Sequence, residues 1–184
     1  MAGMSIVYLG IVGKLESFTD NYIAKGDLWQ TYGLITDIEK YPLFIPWCLD
    51  VKICEYDDPK HNDTIVLNTD AHEKIVFADT IVGFGPFKLA YHSKIIMTPP
   101  CDGYATIQVT SNDKLFKRLY TEWKLTESVT NEKKNGEKAR AETLVEFYIE
   151  FEFTSSIHKT LATSFFQSAC RKMTAAFRER EGIV

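Results

Sequence analysis

The sequence predicts an α+β domain in which a curved antiparallel sheet wraps around one long C-terminal helix. Three observations predict this fold. Residues 156–180 place apolar side chains at helical spacing over about 25 positions, or roughly 35 Å of helix. Most of the preceding chain alternates apolar and polar residues with a period of two, which is typical of strands. Two short helical segments separate the first strand from the others.

Composition limits the class of protein. The chain has 184 residues, of which 45% are hydrophobic and 13% aromatic, and this is enough for one domain with a substantial core. The net charge of −4 argues against nucleic acid as a partner, because such proteins usually carry a basic face. No apolar run approaches the ~18 residues of a membrane span.

The first fourteen residues are apolar but carry neither the basic start of a signal peptide nor the Arg-rich pattern of a mitochondrial presequence. We therefore expect an N-terminal extension over 1–14 and a single domain over 15–181.

The chain begins its regular structure with a predicted strand over 15–24. Asp27 and Gln30 form a capping box, so a short helix should follow and run to about Glu39. Pro42 and Pro46 limit any second helix to a turn or two.

From residue 49 onward the period is two. Strands are predicted over 49–54, 64–69, 74–82, 89–97, 105–109, 119–125 and 144–154, with a tight turn at 99–103 and a polar hairpin loop over 130–140. The last strand has the clearest alternation. One of its faces should point inward (Val145, Phe147, Ile149, Phe151 and Phe153), and the other should lie in water (Glu146, Glu150 and Glu152).

The terminal helix has a wide apolar stripe and a polar face. The stripe is formed by Ile157, Leu161, Phe165, Phe166, Ala169, Cys170, Met173 and Phe177, and the basic residues of the polar face are Lys159, Arg171, Lys172 and Arg178. The stripe must be buried on the sheet. Helix and sheet can either pack as a dry core or enclose a cavity for a ligand.

Residues suited to catalysis or metal binding are few. His92 shares strand parity with Lys94 and should be exposed, and Cys48 lacks a nearby base, so neither is expected to act chemically. The four cysteines form no CxxC pair and have no zinc spacing with the histidines, so no metal site is expected.

Inward-facing aromatic and apolar side chains, in contrast, are abundant: Phe18, Tyr22, Tyr91, Met97, Trp123, Phe147, Phe151, Phe166 and Met173. A few polar groups lie among them, such as Tyr91, Ser93 and Thr121. This pattern fits a close-packed core and a pocket for a lipophilic molecule equally well.

Several segments resemble a known family. Residues 37–48 (DIEKYPLFIPWC) resemble the opening motif of the coenzyme Q-binding proteins of the START superfamily. Val82-Gly83-Phe84 with Phe87, and residues 121–125 (TEWKL), are similar to two later motifs of that family. Residues 145–147 and 151–155, which lead into the long helix, resemble its ending. The resemblance spans roughly residues 16–180.

The resemblance implies a helix-grip fold, with an antiparallel sheet gripping the C-terminal helix over a deep apolar cavity. It implies binding of ubiquinone or a related polyprenyl lipid, without catalysis and without another cofactor. It further implies a peripheral protein on the matrix side of the mitochondrial inner membrane. Such a protein would be a lipid chaperone for respiration and coenzyme Q biosynthesis, in contact with that machinery. The segment from 49 to 81 is longer than expected before the Val-Gly-Phe motif, and an inserted hairpin there would reshape the cavity mouth.

Two groups of residues follow as candidates for this function. Cavity lining is expected from Phe44, Trp47, Phe84, Phe87, Tyr91, Ser93, Met97, Trp123, Phe147, Phe151, Phe166 and Met173, with Tyr91 and Ser93 near the quinone head. Contact with a membrane surface is expected from Phe84, Phe87, Lys159, Arg171, Lys172 and Arg178, with the turn over 83–87 as a gate.

Two alternatives remain open. One is a polyketide cyclase-like enzyme, which would need an inward-facing acid–base pair. The other is an interaction module like the ribosome-association toxins among the bacterial relatives of the family.

Overall fold

The computed structural model of the protein describes residues 11–12, 15–54, 73–84, 87–111, 113–129, 141–154 and 156–181. The side chains of residues 11–12, 84, 87, 129 and 156–165 are not among the parts described. The strand predicted over 64–69 and the loop predicted over 130–140 lie outside the described residues.

The described strands form one antiparallel sheet in the order β1-β2-β8-β7-β6-β5-β4-β3. Their bounds are Ile11–Val12 (β1), Leu15–Ala24 (β2), Cys48–Cys54 (β3), Lys74–Phe84 (β4), Phe87–Cys101 (β5), Tyr104–Ser111 (β6), Phe116–Val129 (β7) and Ala141–Phe153 (β8). Strands that follow one another in the chain from β3 to β8 are antiparallel neighbours, and β2 pairs with β8 on one side and with β1 on the other. The antiparallel sheet is confirmed, and so is the predicted strand parity of the described strands, with the exception of Leu49.

The described residues also form two α-helices and one 3-10 helix. The first helix, α1 (Leu28–Thr36), starts with the predicted capping box, in which Gln30 N donates to Asp27 Oδ1 at 2.8 Å and Asp27 N donates to Gln30 Oε1 at 3.2 Å. It ends three residues before Glu39, because Asp37 leaves the helical conformation with a ψ of 59°. The chain then continues as a 3-10 helix, Ile38–Leu43.

The long helix α2 (Ser156–Arg180) packs against β2 and β8. In its described part the apolar stripe is buried at Phe166, Cys170 and Phe177, as the sequence predicts. A sheet that holds a long terminal helix in this way is the helix-grip arrangement. None of the described helices is long and apolar enough to cross a membrane.

Leu49 departs from the predicted parity. The sequence pattern places it on the same face as Val51, yet it is 45% exposed. The register between β3 and β4 shifts between Cys48 and Asp50, and this bulge turns Leu49 outward. Gly83 makes room for it, since a Cβ on Gly83 would lie only 2.8 Å from Leu49 Cδ1.

The predicted turn at 99–103 is tighter than the sequence suggests. Cys101 already pairs with Tyr104, so the connection consists of Asp102 and Gly103 alone. Both have positive φ, 50° and 77°, which suits the two central residues of a type I′ hairpin turn. The β4–β5 connection is equally short, because Phe84 pairs with Phe87.

Candidate functional site

The inner face of the three central strands contains a row of side chains that are only partly buried. Val109, Thr121 and Ile149 are neighbours in register on β6, β7 and β8, and all three are half-buried. We call them the accessible row. Side chains on the inner face of a sheet under a helix are normally buried. Along 105–111 of β6, 119–125 of β7 and 143–151 of β8, every other inner-face side chain is buried, so these three are the exception.

The rows on either side of the accessible row are fully buried. Two residues along each strand in one direction lie Ile107, Trp123 and Phe147, with exposures of 2%, 4% and 1%. Two residues in the other direction lie Ser111, Leu119 and Phe151, which are also buried. The accessible row is therefore a local feature of the inner face and not the rim of the sheet.

One end of the interior is closed by aromatic packing around Phe177 of α2, which has no exposed surface. Its ring centroid lies 4.9 Å from that of Trp123, 5.1 Å from Phe44 and 5.3 Å from Tyr41. Trp123 in turn lies 4.3 Å from Phe147. We call Trp123, Phe147 and Phe177 the packed cluster.

A second aromatic group lies at the other side of the accessible row. Phe151 contacts Phe166 of α2 with ring centroids 4.5 Å apart, and Phe116 lies 6.2 Å from Phe151. Tyr91 of β5 meets the edge of Phe116 at 5.3 Å. Aromatic rings from β5, β7, β8 and α2 therefore surround the region on this side.

Tyr91, Ser93 and Cys48, on the inner side of β3 and β5, are uncharged polar groups. Ser93 Oγ donates to the carbonyl of Ala78 at 3.3 Å. Burial raises the pKa of Tyr91 to about 12, although a hydrogen bond with Thr80 opposes the rise, and burial raises the pKa of the Cys48 thiol to about 11. Near neutral pH these groups can donate and accept hydrogen bonds without carrying charge, which suits a neutral polar ligand group.

The structure brings most of the predicted lining residues together on the inner side. Ser93, Met97, Trp123, Phe147, Phe151 and Phe166 are buried, and Phe44, Trp47, Tyr91 and Met173 are half-buried. The side chains of Phe84 and Phe87 lie outside the description, so their predicted places in the lining and at a membrane stay predictions.

Arg178 does not share the exposed basic face on which the sequence places it. Its Nη2 lies 2.9 Å from Oδ2 of Asp20, an inner-face residue of β2 that is 4% exposed, and also donates to the carbonyl of Asn21. Its guanidinium stacks over Tyr22. We therefore remove Arg178 from the predicted membrane contacts. Arg171 and Lys172 are exposed as predicted, and the side chain of Lys159 is not described.

Two outer-face residues are more covered than the alternation predicts. Glu150 is only 7% exposed, because Arg118 pairs with it and Tyr148 donates a hydrogen bond of 2.7 Å to it. The His92 side chain is 12% exposed and lies 2.8 Å from Asp79. Strand parity predicts the correct face for both residues. It does not predict that side chains from neighbouring positions lie across that face and cover them.

Comparison with known proteins assigns the family. Residues 27–178 match the family described as polyketide cyclase / dehydrase and lipid transport. The chain belongs to this family. The description covers both enzymes and lipid carriers, so membership by itself leaves both activities open.

Among individual relatives, the chain is 26% identical over 170 residues to the mitochondrial coenzyme Q-binding protein COQ10 homolog B of Xenopus laevis, and 27% over 175 residues to the corresponding protein of Drosophila melanogaster. Each match covers 92% of this chain but only 59% and 61% of those two relatives. The ribosome association toxin RatA of Rickettsia prowazekii is 25% identical over 82% of this chain and 86% of its own. The resemblance to the coenzyme Q-binding proteins is thereby confirmed.

Solved structures confirm the fold. The ZhuI aromatase/cyclase of Streptomyces superposes with a TM-score of 0.62 at 9% identity, covering 91% of this chain and 94% of that one. A STAR-related lipid transfer protein from Xanthomonas axonopodis superposes with a TM-score of 0.61 at 10% identity, covering 96% and 98%. At these identities the likeness concerns the helix-grip fold alone.

Proposed function

We propose that this domain binds ubiquinone, or a related polyprenyl lipid, between the sheet and α2, and that it carries the lipid without transforming it. The accessible row is the observation that carries the proposal. Val109, Thr121 and Ile149 are partly exposed on an inner face whose adjoining rows are buried, as expected where a ligand takes the place of core side chains. The coenzyme Q-binding relatives support the choice of ligand.

The chemistry of the surroundings fits the two parts of a quinone lipid. A prenyl tail would gain about 25 cal/mol for each Å² of apolar surface that it buries against the aromatic rings of β7, β8 and α2. A quinone head has two carbonyl acceptors and no charge. Tyr91, Thr80 and Thr121 offer hydroxyl donors on the same inner side.

The cellular role is a separate proposal that builds on lipid binding. We propose a chaperone that acts peripherally at the matrix side of the mitochondrial inner membrane, in support of respiration and coenzyme Q biosynthesis. Docking would use the Phe84–Phe87 hairpin as gate with Lys159, Arg171 and Lys172 as basic contacts. Each basic side chain near an anionic leaflet adds about 1 kcal/mol, so such contact would be reversible.

The first test is direct. Mass spectrometry of an organic extract of the purified protein should detect a co-purified quinone or polyprenyl lipid. Protein reloaded from liposomes that contain ubiquinone should retain it in about equimolar amount after gel filtration, whereas absence of lipid from both preparations would contradict the proposal.

A space-filling variant tests the location of the lipid. Val109→Phe should occupy the space above the accessible row and so reduce lipid retention at least tenfold, with little change in melting temperature. Thr110→Phe, on the opposite face of the same strand, is the matched control and should retain lipid normally. If Val109→Phe instead lowers stability by the ~1–3 kcal/mol typical of overpacking, the interior is a dry core.

A second candidate function rests on the RatA relative, whose name describes ribosome association. The net charge of −4 disfavours it, because RNA contact normally needs clustered Lys and Arg. Sedimentation with ribosomal particles at low and high salt distinguishes the two. Salt-sensitive co-sedimentation of the lipid-free protein would support this second function.

A further inference from the structure

Three potential metal ligands meet on the outer face of the sheet, on the side opposite the accessible row. Cys54, Asp79 and His92 come from the neighbouring strands β3, β4 and β5. Asp79 is the register partner of His92, and Cys54 pairs with Phe77 two residues away on the same face. One donor atom from each of the three lies within 4.8 Å of the others.

The imidazole of His92 is held firmly in place. Its Nδ1 lies 2.8 Å from Asp79 Oδ1, and its ring stacks on Phe77 at 5.6 Å with an interplanar angle of 14°. Its backbone is fixed as well, because His92 N donates to Asp113 Oδ2 at 2.9 Å and its carbonyl accepts from Ser111 Oγ. A ring that is positioned in this way loses little freedom when a nitrogen binds a metal.

We propose that Cys54, Asp79 and His92 form a binding site for Zn²⁺. Thiolate sulfur, imidazole nitrogen and carboxylate oxygen are the three donor types that zinc takes in proteins, and water would complete a tetrahedral set. The thiolate and the carboxylate together balance the two positive charges of the ion. A hard ion such as Mg²⁺ or Ca²⁺ would not use the thiol, so the donor set selects a softer metal.

The surrounding charges set a limit on affinity. Lys52 is the register partner of Asp79 on β3, and Lys94 is that of Phe77 on β5, so two ammonium groups share this face. Lys52 is exposed and can extend into water.

Binding would join the edge strand β3 to β4 and β5 through side chains in addition to the backbone ladder. It would stabilise the folded protein in proportion to the logarithm of the free metal concentration. The site lies across the sheet from the accessible row, so it is independent of the proposed lipid function.

Cobalt is the probe for the test, because Co²⁺ replaces Zn²⁺ and is coloured. Metal-free protein titrated with Co²⁺ should develop visible bands of tetrahedral cobalt and a near-ultraviolet thiolate-to-cobalt band, saturating at one ion per chain. Added Zn²⁺ should remove both. Cys54→Ser should abolish the thiolate band, and Asp79→Asn or His92→Ala should weaken Co²⁺ binding at least tenfold.

Cys101→Ser is the matched control, since Cys101 is an exposed free cysteine outside the cluster and should leave the titration unchanged. Circular dichroism must show that each variant is folded, and Cys54→Ala provides a second variant if Cys54→Ser is not. The proposal is wrong if the thiolate band survives loss of Cys54, if it depends on Cys101, or if folded wild-type protein binds no cobalt at millimolar concentration.

Discussion

The packed cluster and the accessible row lie side by side on the same strands but differ in how α2 covers them. Trp123 and Phe147 are sealed by Phe177, whereas Thr121 and Ile149, two residues further along β7 and β8, remain partly exposed. The helix is thus fixed tightly at its C-terminal end, and the neighbouring row of the sheet is covered less completely. The packed cluster contributes to stability, and the ligand binding that we propose uses the neighbouring row of the same surface.

The strongest test of this difference is a pair of truncations to alanine. Phe177→Ala should cost about 3–5 kcal/mol of unfolding free energy, because a fully buried ring leaves a cavity between Tyr41, Phe44 and Trp123. Ile149→Ala should cost less than half as much, since its side chain is already partly exposed. Urea unfolding measures both, and equal losses would remove the distinction between the two regions.

The ion pair between Asp20 and Arg178 should make the next largest contribution, because it ties the end of α2 to the inner face of β2. Asp20→Ala leaves the guanidinium of Arg178 without its carboxylate in a largely covered position. We expect a loss of about 1–3 kcal/mol and faster hydrogen exchange in the last turns of α2. Asp50→Ala, at an exposed aspartate of β3, is the control and should change neither quantity.

Much of the architecture could be predicted because it depends on local patterns. The capping box of Asp27, the period of two in β8 and the stripe of α2 each specify their element from residues that are close together in the sequence. Parity then separates Phe147 and Phe151 from Glu146, and the structure agrees. The accessible row could not be found in this way, because how completely a row of the sheet is covered depends on the packing of side chains that are distant in sequence.

The wrong predictions share a physical reason. Leu49 points outward because of a register shift that alternation alone does not reveal. Arg178 forms an ion pair with Asp20, which lies 158 positions earlier in the sequence. Glu150 is covered by Arg118 across the strand pair. Cys54, Asp79 and His92 come together only through strand order. Interactions between residues far apart in sequence leave no local signal.

The pH dependence of stability tests the packing at the C-terminal end of α2, where a smaller effect is expected. Burial raises the pKa of Glu181 from its ordinary 4.5 to about 7, although Tyr22 and Arg178 act in the opposite direction. Between pH 4.5 and about pH 7, the folded state therefore still holds a proton that the unfolded state has released. Stability from this group is complete below pH 4.5 and is lost as pH rises through 7.

Glu181→Gln should remove that dependence. The unfolding midpoint of the variant should increase relative to wild type between pH 5 and pH 8. Glu179→Gln, an exposed neighbour in the same helical turn, should follow wild type throughout. Parallel curves for wild type and Glu181→Gln would show that the carboxylate is solvated in the folded protein.

The smallest expected effect is a change in tryptophan fluorescence, which is measured without disturbing the fold. Trp123 is 4% exposed and lies next to the accessible row, because Thr121 is the preceding inward-facing residue of β7. Trp29, in contrast, is 63% exposed. In a protein that retains only Trp123, with Trp29→Phe and Trp47→Phe, a bound quinone should quench the indole emission and saturate at one equivalent. Val109→Phe should abolish the saturable part.

In a second protein that retains only Trp29, quenching should grow linearly with quinone concentration because it is collisional. If the emission of Trp123 also decreased linearly, the quinone would have no fixed position beside the packed cluster, and the accessible row would not be its site.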